Sequence, residues 1–138
     1  MLFRSHEVRR DENLKLLGLA PWQVDALGRS DELGCCAEGV FADFLPRVVE
    51  ARRAQGRLEQ RIALLRHVEA LRLYAAENHG KLPATLTDVS VPLPADPFTG
   101  KPFLYQLEAE AAQLSGRPPR GEEQNPCFNL RYEVALPK

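Results

Sequence analysis

The chain has 138 residues, of which 44% are hydrophobic and 27% are charged, and its formal net charge is −1. This composition is that of a globular domain with its own core, and it excludes a chain that is disordered throughout. The near-neutral charge provides no field that would draw the chain to nucleic acid or to an anionic membrane, so neither partner is expected.

The N-terminal part is predicted to form short helices. The first spans residues 5–19, and the second begins at Pro21 and is closed by Gly34. Trp22 and Val24 are expected on the buried side of the second helix, with the tryptophan as a packing anchor.

The opening segment MLFRSHEVRRDENLKLLG carries charges throughout, unlike a secretory signal peptide. No window contains the roughly 18 consecutive apolar residues that a membrane helix requires, so no membrane insertion is expected. The chain as it stands is interpreted as cytoplasmic, and as exported if it is the tail of a longer protein.

The three cysteines, Cys35, Cys36 and Cys127, do not form a metal-site or disulfide pattern. Two of them are adjacent, which disfavours a bond between them, and the C-x-x-C spacing typical of zinc sites is absent. We therefore expect reduced thiols. A bridge from Cys127 to Cys35 or Cys36 stays open if the protein is exported.

A single long helix is predicted over residues 46–80. Apolar residues recur there at steps of three and four, which indicates one continuous apolar stripe along the helix. Gly80 supplies a left-handed cap, and Pro83 prevents the helix from resuming. The stripe consists of Val48, Ala51, Leu58, Ile62, Leu65, Val68, Leu71 and Ala75.

Beyond this helix the sequence favours short extended segments. Thr85 and Asp88 have the spacing of a capping box around one helical turn, and PFLYQLE, AEAAQLSG and NLRYEVAL are typical of strands. We predict an α+β fold in which the long helix packs on a small three-stranded antiparallel sheet. The parts of this one folded unit are residues 1–45 (short helices), 46–80 (the shared long helix) and 81–138 (the sheet). Its helix-on-sheet core is expected to contain Tyr74, Leu86, Phe103, Tyr105 and Tyr132.

The segment ADPFTGKPFLYQLE forms the corner between helix and sheet. Pro97 suits the second position of a turn, Gly100 can adopt a positive φ, and Pro102 suits the start of an edge strand. The aromatic residues that follow would share the strand face that meets the long helix. The structural corner consists of Asp96, Pro97, Gly100, Pro102, Phe103 and Tyr105.

From the long helix to the last strand, roughly residues 58–136, the chain resembles the headpiece of type II secretion pseudopilins and type IV pilins. The resemblance implies a non-enzymatic role in assembly. Pilin helices begin in an apolar membrane anchor, whereas the equivalent stretch here, PRVVEARRAQGRLEQR, is rich in arginine, so no such anchor is implied. The matching residues are Tyr74, Gly80, Pro83, Leu86, Asp96, Pro97, Gly100, Pro102, Phe103 and Tyr105.

A second resemblance covers most of the chain. The segments RIALLRHVEALRLYAAENHGKLPATL and DPFTGKPFLY are similar to the C-terminal region of large uncharacterised proteins that are abundant in planctomycete bacteria. That family implies no activity. It implies that the chain is a fragment or a shortened member of something longer.

The motifs favour neither an enzyme nor a cofactor. His67 and His79 are twelve residues apart, not at the i, i+4 spacing that places two imidazoles on one helix face. The G-x-S-x-G motif and a phosphate-binding glycine loop are absent. One metal hypothesis stays open, a calcium ion at Asp96, and it would require Asp88 and Glu133 to converge there.

Arg53, Arg57 and Arg61 follow one another at four-residue steps and so line one face of the long helix. They are either a solvated surface or a binding surface for an acidic protein partner, since nucleic-acid binding would need more basic residues and interleaved aromatic residues. We predict a non-enzymatic protein-interaction or assembly module with a protein partner or self-association. The alternative is a C-terminal accessory domain, or fragment, of a larger enzyme or secreted protein.

Overall fold

Two compact units make up the chain, residues 1–56 and residues 57–138. The computed structural model describes the following residues: 11, 15, 17–26, 44–108, 111–119 and 121–135.

In the first unit, helix α1 spans Pro21–Ala26. Its start is capped by Gln23, whose side-chain oxygen accepts a hydrogen bond from the Ala20 N–H at 3.0 Å. The predicted start at Pro21 is confirmed, and Val24 is buried as expected. Trp22 is exposed, so its expected role as a packing anchor was wrong. Most of the predicted helix over residues 5–19, and the end of the second helix, lie outside the described residues.

Helix α2 spans Phe44–Glu77, and its 34 residues fall in both units. After it, the chain adopts left-handed backbone at His79 (φ 55) as well as at Gly80 (φ 78). The Gly80 N–H donates to the carbonyl of Ala75 at 2.8 Å, which closes the last turn. The predicted long helix is therefore present, and the left-handed cap begins one residue before Gly80.

The second unit contains a three-stranded antiparallel sheet. Its strands are β1 (Leu104–Glu108), β2 (Ala111–Ser115) and β3 (Arg131–Ala135), in the spatial order β1-β2-β3. The register places Leu114 of the central strand between Tyr105 and Tyr132. One long helix and this sheet confirm the predicted α+β fold.

The core of the second unit is formed by α2 and one face of the sheet. Phe103 is buried in it, and Leu86, Tyr105 and Tyr132 are partly buried against it, as predicted. Tyr74, the fifth expected core residue, is only partly buried. The buried cluster is Ala63, Leu64, Leu71, Phe103, Ala112, Leu114 and Val134.

The predicted apolar stripe of α2 was partly wrong. Leu71 and Ala75 are buried, but Leu58, Ile62 and Leu65 are exposed. The helix is apolar on two opposite sides. Steps of three and four residues connect apolar residues of both sides, so the predicted stripe contained members of each. The true buried side includes two polar residues, which concealed its periodicity. It consists of Gln60, Ala63, Leu64, His67, Ala70, Leu71 and Ala75.

Within the described part of the chain, no helix combines the length and the apolar character needed to cross a membrane.

Candidate functional site

Asp96 is the buried polar centre of the corner, with 1% of its surface exposed. Its Oδ1 accepts hydrogen bonds from the Phe98 N–H and from the Gln60 side-chain amide, both at 3.0 Å. Its Oδ2 accepts one from the Arg117 N–H at 2.9 Å. The carboxylate therefore joins α2, the corner and the segment that follows β2.

The backbone of the corner closes on itself around Asp96. The Asp96 carbonyl accepts from the Thr99 N–H at 3.1 Å and from the Gly100 N–H at 2.7 Å, and the Asp96 N–H donates to Lys101 at 2.9 Å. Pro97 thus occupies the second position of a turn, and Gly100 has a φ of 65°. Both conformational predictions are confirmed.

Gln60 holds this corner from the helix side. Its buried amide donates to Asp96 and also to the carbonyl of Arg117, at 3.2 Å. Gly116 makes room for it, because a Cβ at that position would overlap the Gln60 amide nitrogen. No local sequence pattern indicates this role, since a glutamine on a helix is ordinarily solvent-exposed.

Two carboxylates of the calcium hypothesis, Asp96 and Asp88, have other contacts. Asp88 is exposed, and its Oδ2 accepts a hydrogen bond from the Thr85 N–H at 2.9 Å, as the capping-box spacing predicted. Across the residues that the structure describes, no three His, Cys, Asp or Glu side chains are grouped as a metal ion would need. Three N–H groups already donate to the Asp96 carboxylate. Calcium binding at Asp96 stays a prediction.

His67 is a buried residue of the helix-on-sheet core. Its Nδ1–H donates to the carbonyl of Ala63 at 2.8 Å, and its ring meets Phe103 edge-on with centroids 4.9 Å apart. Phe103 therefore faces the long helix, as predicted. Burial lowers the pKa of His67, although the hydrogen bond to Ala63 acts in the opposite direction. His79 is exposed at the end of α2, so the two histidines occupy different environments.

We expect the stability of the protein to fall as the pH decreases below about 6.5, and His67 to cause part of that fall. The unfolded chain takes up a proton near this pH, whereas the lowered pKa keeps folded His67 neutral. The contribution of His67 to the free energy of unfolding is complete above pH 6.5. It decreases as the pH falls from 6.5 toward the pKa of folded His67, by at most about 1.4 kcal/mol per pH unit. Urea unfolding of the wild type and of His67→Phe between about pH 5 and 7.5 measures it. Parallel pH profiles for the two proteins would contradict the assignment.

Tyr105 connects the sheet to the segment after α2. Its hydroxyl donates to the carbonyl of Pro83 at 2.6 Å. Burial, followed by the nearby carboxylate of Asp88 and the hydroxyl of Tyr74, raises the pKa of Tyr105. The residue therefore acts as a neutral donor at physiological pH, and its role in the corner is structural.

The three arginines of the predicted interaction surface have different surroundings. The guanidinium of Arg57 lies 5.1 Å from the ring centroid of Phe128, which itself meets Phe98 edge-on. This cation–π contact gives Arg57 a packing role. Arg53 and Arg61 are exposed. Binding of a partner by these arginines stays a prediction.

The side of α2 opposite the core carries a second set of aliphatic residues, which we call the outer face. Successive members lie four, three and eight positions apart in the sequence. In a helix with 3.6 residues per turn, these spacings place them on one side. Exposed Arg61 and Arg66 flank the outer face, and exposed Glu69 lies within it, between Leu65 and Leu73. The outer face consists of Leu58 (58% exposed), Ile62 (45%), Leu65 (51%) and Leu73 (56%).

A shallow groove of about 290 Å³ adjoins the outer face at Ile62. The other side of the groove is formed by the proline-rich segment that precedes the corner. Glu59 and Arg66 place one charge of each sign at its rim. The lining residues are Glu59, Ile62, Ala63, Arg66, Pro94, Ala95 and Pro97.

Comparisons of the chain with family models, with curated proteins and with solved structures each found no match. The resemblances to pilin headpieces and to planctomycete proteins therefore stay predictions.

Proposed function

We propose that this protein is a non-enzymatic protein-interaction or assembly module that binds its partner through the outer face of α2. The observation that carries the proposal is the exposure of four aliphatic side chains on one helix face, each at 45% or more. Single exposed aliphatic residues are ordinary on a protein surface, but several on one helix face are typical of an interface, here interrupted only by Glu69 between Leu65 and Leu73.

The opposite side of the same helix gives the outer face a rigid support. Leu64 and Leu71 are fully buried in the core, and Gln60 is hydrogen-bonded to the corner. The backbone under the exposed residues is therefore fixed before a partner arrives, and little conformational entropy is lost there on binding. Covering the exposed half of one aliphatic side chain would contribute about 1 kcal/mol to the free energy of binding.

A likeness to pseudopilin headpieces belongs to the same proposal. The order of a long helix, the Asp96 corner and an antiparallel sheet supports it. In such an assembly the outer face of α2 would take the place of the apolar anchor as the packing surface.

Site-specific photo-crosslinking in cells of the source organism tests the proposal. We expect a photoreactive residue at Leu65 to yield a protein adduct, and one at the exposed loop residue Val91 to yield none. The Leu65 adduct should disappear when Leu58→Glu is added, because a charge on the outer face opposes docking. Equal yields at Leu65 and Val91, or an adduct that survives Leu58→Glu, would overturn the proposal.

A further inference from the structure

We infer that the outer face of α2 binds a second copy of this chain, with the two helices antiparallel and the two-fold axis at Leu65. The inference rests on the proposed function and names the partner. The outer face and its charged rim are self-complementary about that residue.

The aliphatic residues are arranged almost symmetrically about Leu65. Leu58 lies seven residues before it and Leu73 lies eight after it. At 1.5 Å per residue both are roughly 10–12 Å from the axis. In an antiparallel two-fold pair, a residue that precedes the axis residue lies opposite the residue that follows it by the same number of positions in the other copy. Leu65 would then meet Leu65, and Leu58 would lie opposite Arg72 and next to Leu73, one residue further along, at both ends.

Two charged residues, Arg61 beside the outer face and Glu69 within it, follow the same symmetry with opposite signs. Arg61 lies four residues before Leu65, and Glu69 lies four residues after it. Each Arg61 would therefore face Glu69 of the second copy, twice per dimer. Within its own helix Glu69 contacts Arg72 at 2.7 Å, but both side chains are more than 60% exposed, and a solvated pair of this kind is exchanged at little cost.

This symmetry favours a second copy over an unrelated partner. An unrelated helix would need an acidic residue opposite Arg61, a basic residue opposite Glu69 and aliphatic residues at both ends. The chain supplies all of these to itself. Four aliphatic side chains form a smaller contact than the roughly 800 Å² per partner of a standard interface, so we expect a dissociation constant of about 10–100 µM.

Sedimentation velocity of the full chain tests the inference, with reductant present because Cys127 is exposed. We expect a monomer at about 1 µM and a dimer at about 300 µM. Arg61→Glu and Glu69→Arg should each weaken dimerisation about tenfold or more, because each places like charges opposite one another. An equimolar mixture of these two variants should dimerise as the wild type does, because both charge pairs are then opposite again.

Two further variants separate the outer face from general surface effects. Leu65→Glu should abolish the dimer because it sets two carboxylates on the axis, and Val91→Glu should leave it unchanged. Circular dichroism verifies that each variant is folded. A wild type that is monomeric throughout, or a mixture that fails to restore dimerisation, would overturn the inference. If Leu65 then crosslinks to a different protein, the proposed function stands without self-association.

Discussion

Replacing Asp96 with alanine is expected to lower the free energy of unfolding by about 3–5 kcal/mol. The change removes the acceptor of three hydrogen bonds, the buried ones from Gln60 and Phe98 and the partly buried one from Arg117. Each donor left unpaired in the interior costs about 1–3 kcal/mol. Urea unfolding followed by circular dichroism measures the loss. A loss below about 1 kcal/mol would show that the corner does not depend on this carboxylate.

Asp88→Ala is the matched control, because Asp88 is an exposed carboxylate with one hydrogen bond, to Thr85. Its loss should cost about 1 kcal/mol or less, as for other capping residues. The same proteins test the calcium hypothesis. If hydrogen bonds alone satisfy Asp96, the wild type has the same melting temperature in calcium as in a chelator. A calcium site would raise it in the wild type and leave Asp96→Ala unchanged.

Much of the second unit could be predicted from local signals in the sequence. Pro97 and Gly100 each constrain one backbone position, so the corner was predictable without knowledge of the rest of the fold. The three strands and the capping role of Asp88 were predictable for the same reason. Contacts between segments that are distant in the sequence were harder to predict. The hydrogen bond from Gln60 to Asp96 joins residues 36 positions apart, and no local pattern predicts it.

Periodicity alone does not identify the buried side of α2. A helix with apolar residues on two sides offers several series at steps of three and four, and only the packing partner decides which is buried. The sheet covers the side that contains the polar residues Gln60 and His67. Three residues of the outer face, Leu58, Ile62 and Leu65, therefore belong to the predicted apolar stripe, whereas Leu73 does not.

Two neighbouring leucines on α2 should differ sharply when each is replaced by alanine. Leu64 is 0% exposed, and Leu64→Ala is expected to cost about 2–5 kcal/mol because it opens a cavity in the core. Leu65 is 51% exposed, and Leu65→Ala is expected to change stability by no more than about 0.5 kcal/mol. Both changes remove the same atoms from adjacent positions of one helix. The difference between the two losses of stability therefore depends only on which side of the helix each leucine occupies.

We propose that the second unit packs one side of α2 in its core and leaves the other side for a partner. Urea unfolding of Leu64→Ala and Leu65→Ala tests it most directly, at a protein concentration too low for self-association. We predict a large shift of the unfolding midpoint for Leu64→Ala and almost none for Leu65→Ala. Equal shifts would contradict the claim, because Leu65 would then be as deeply packed within the chain as Leu64.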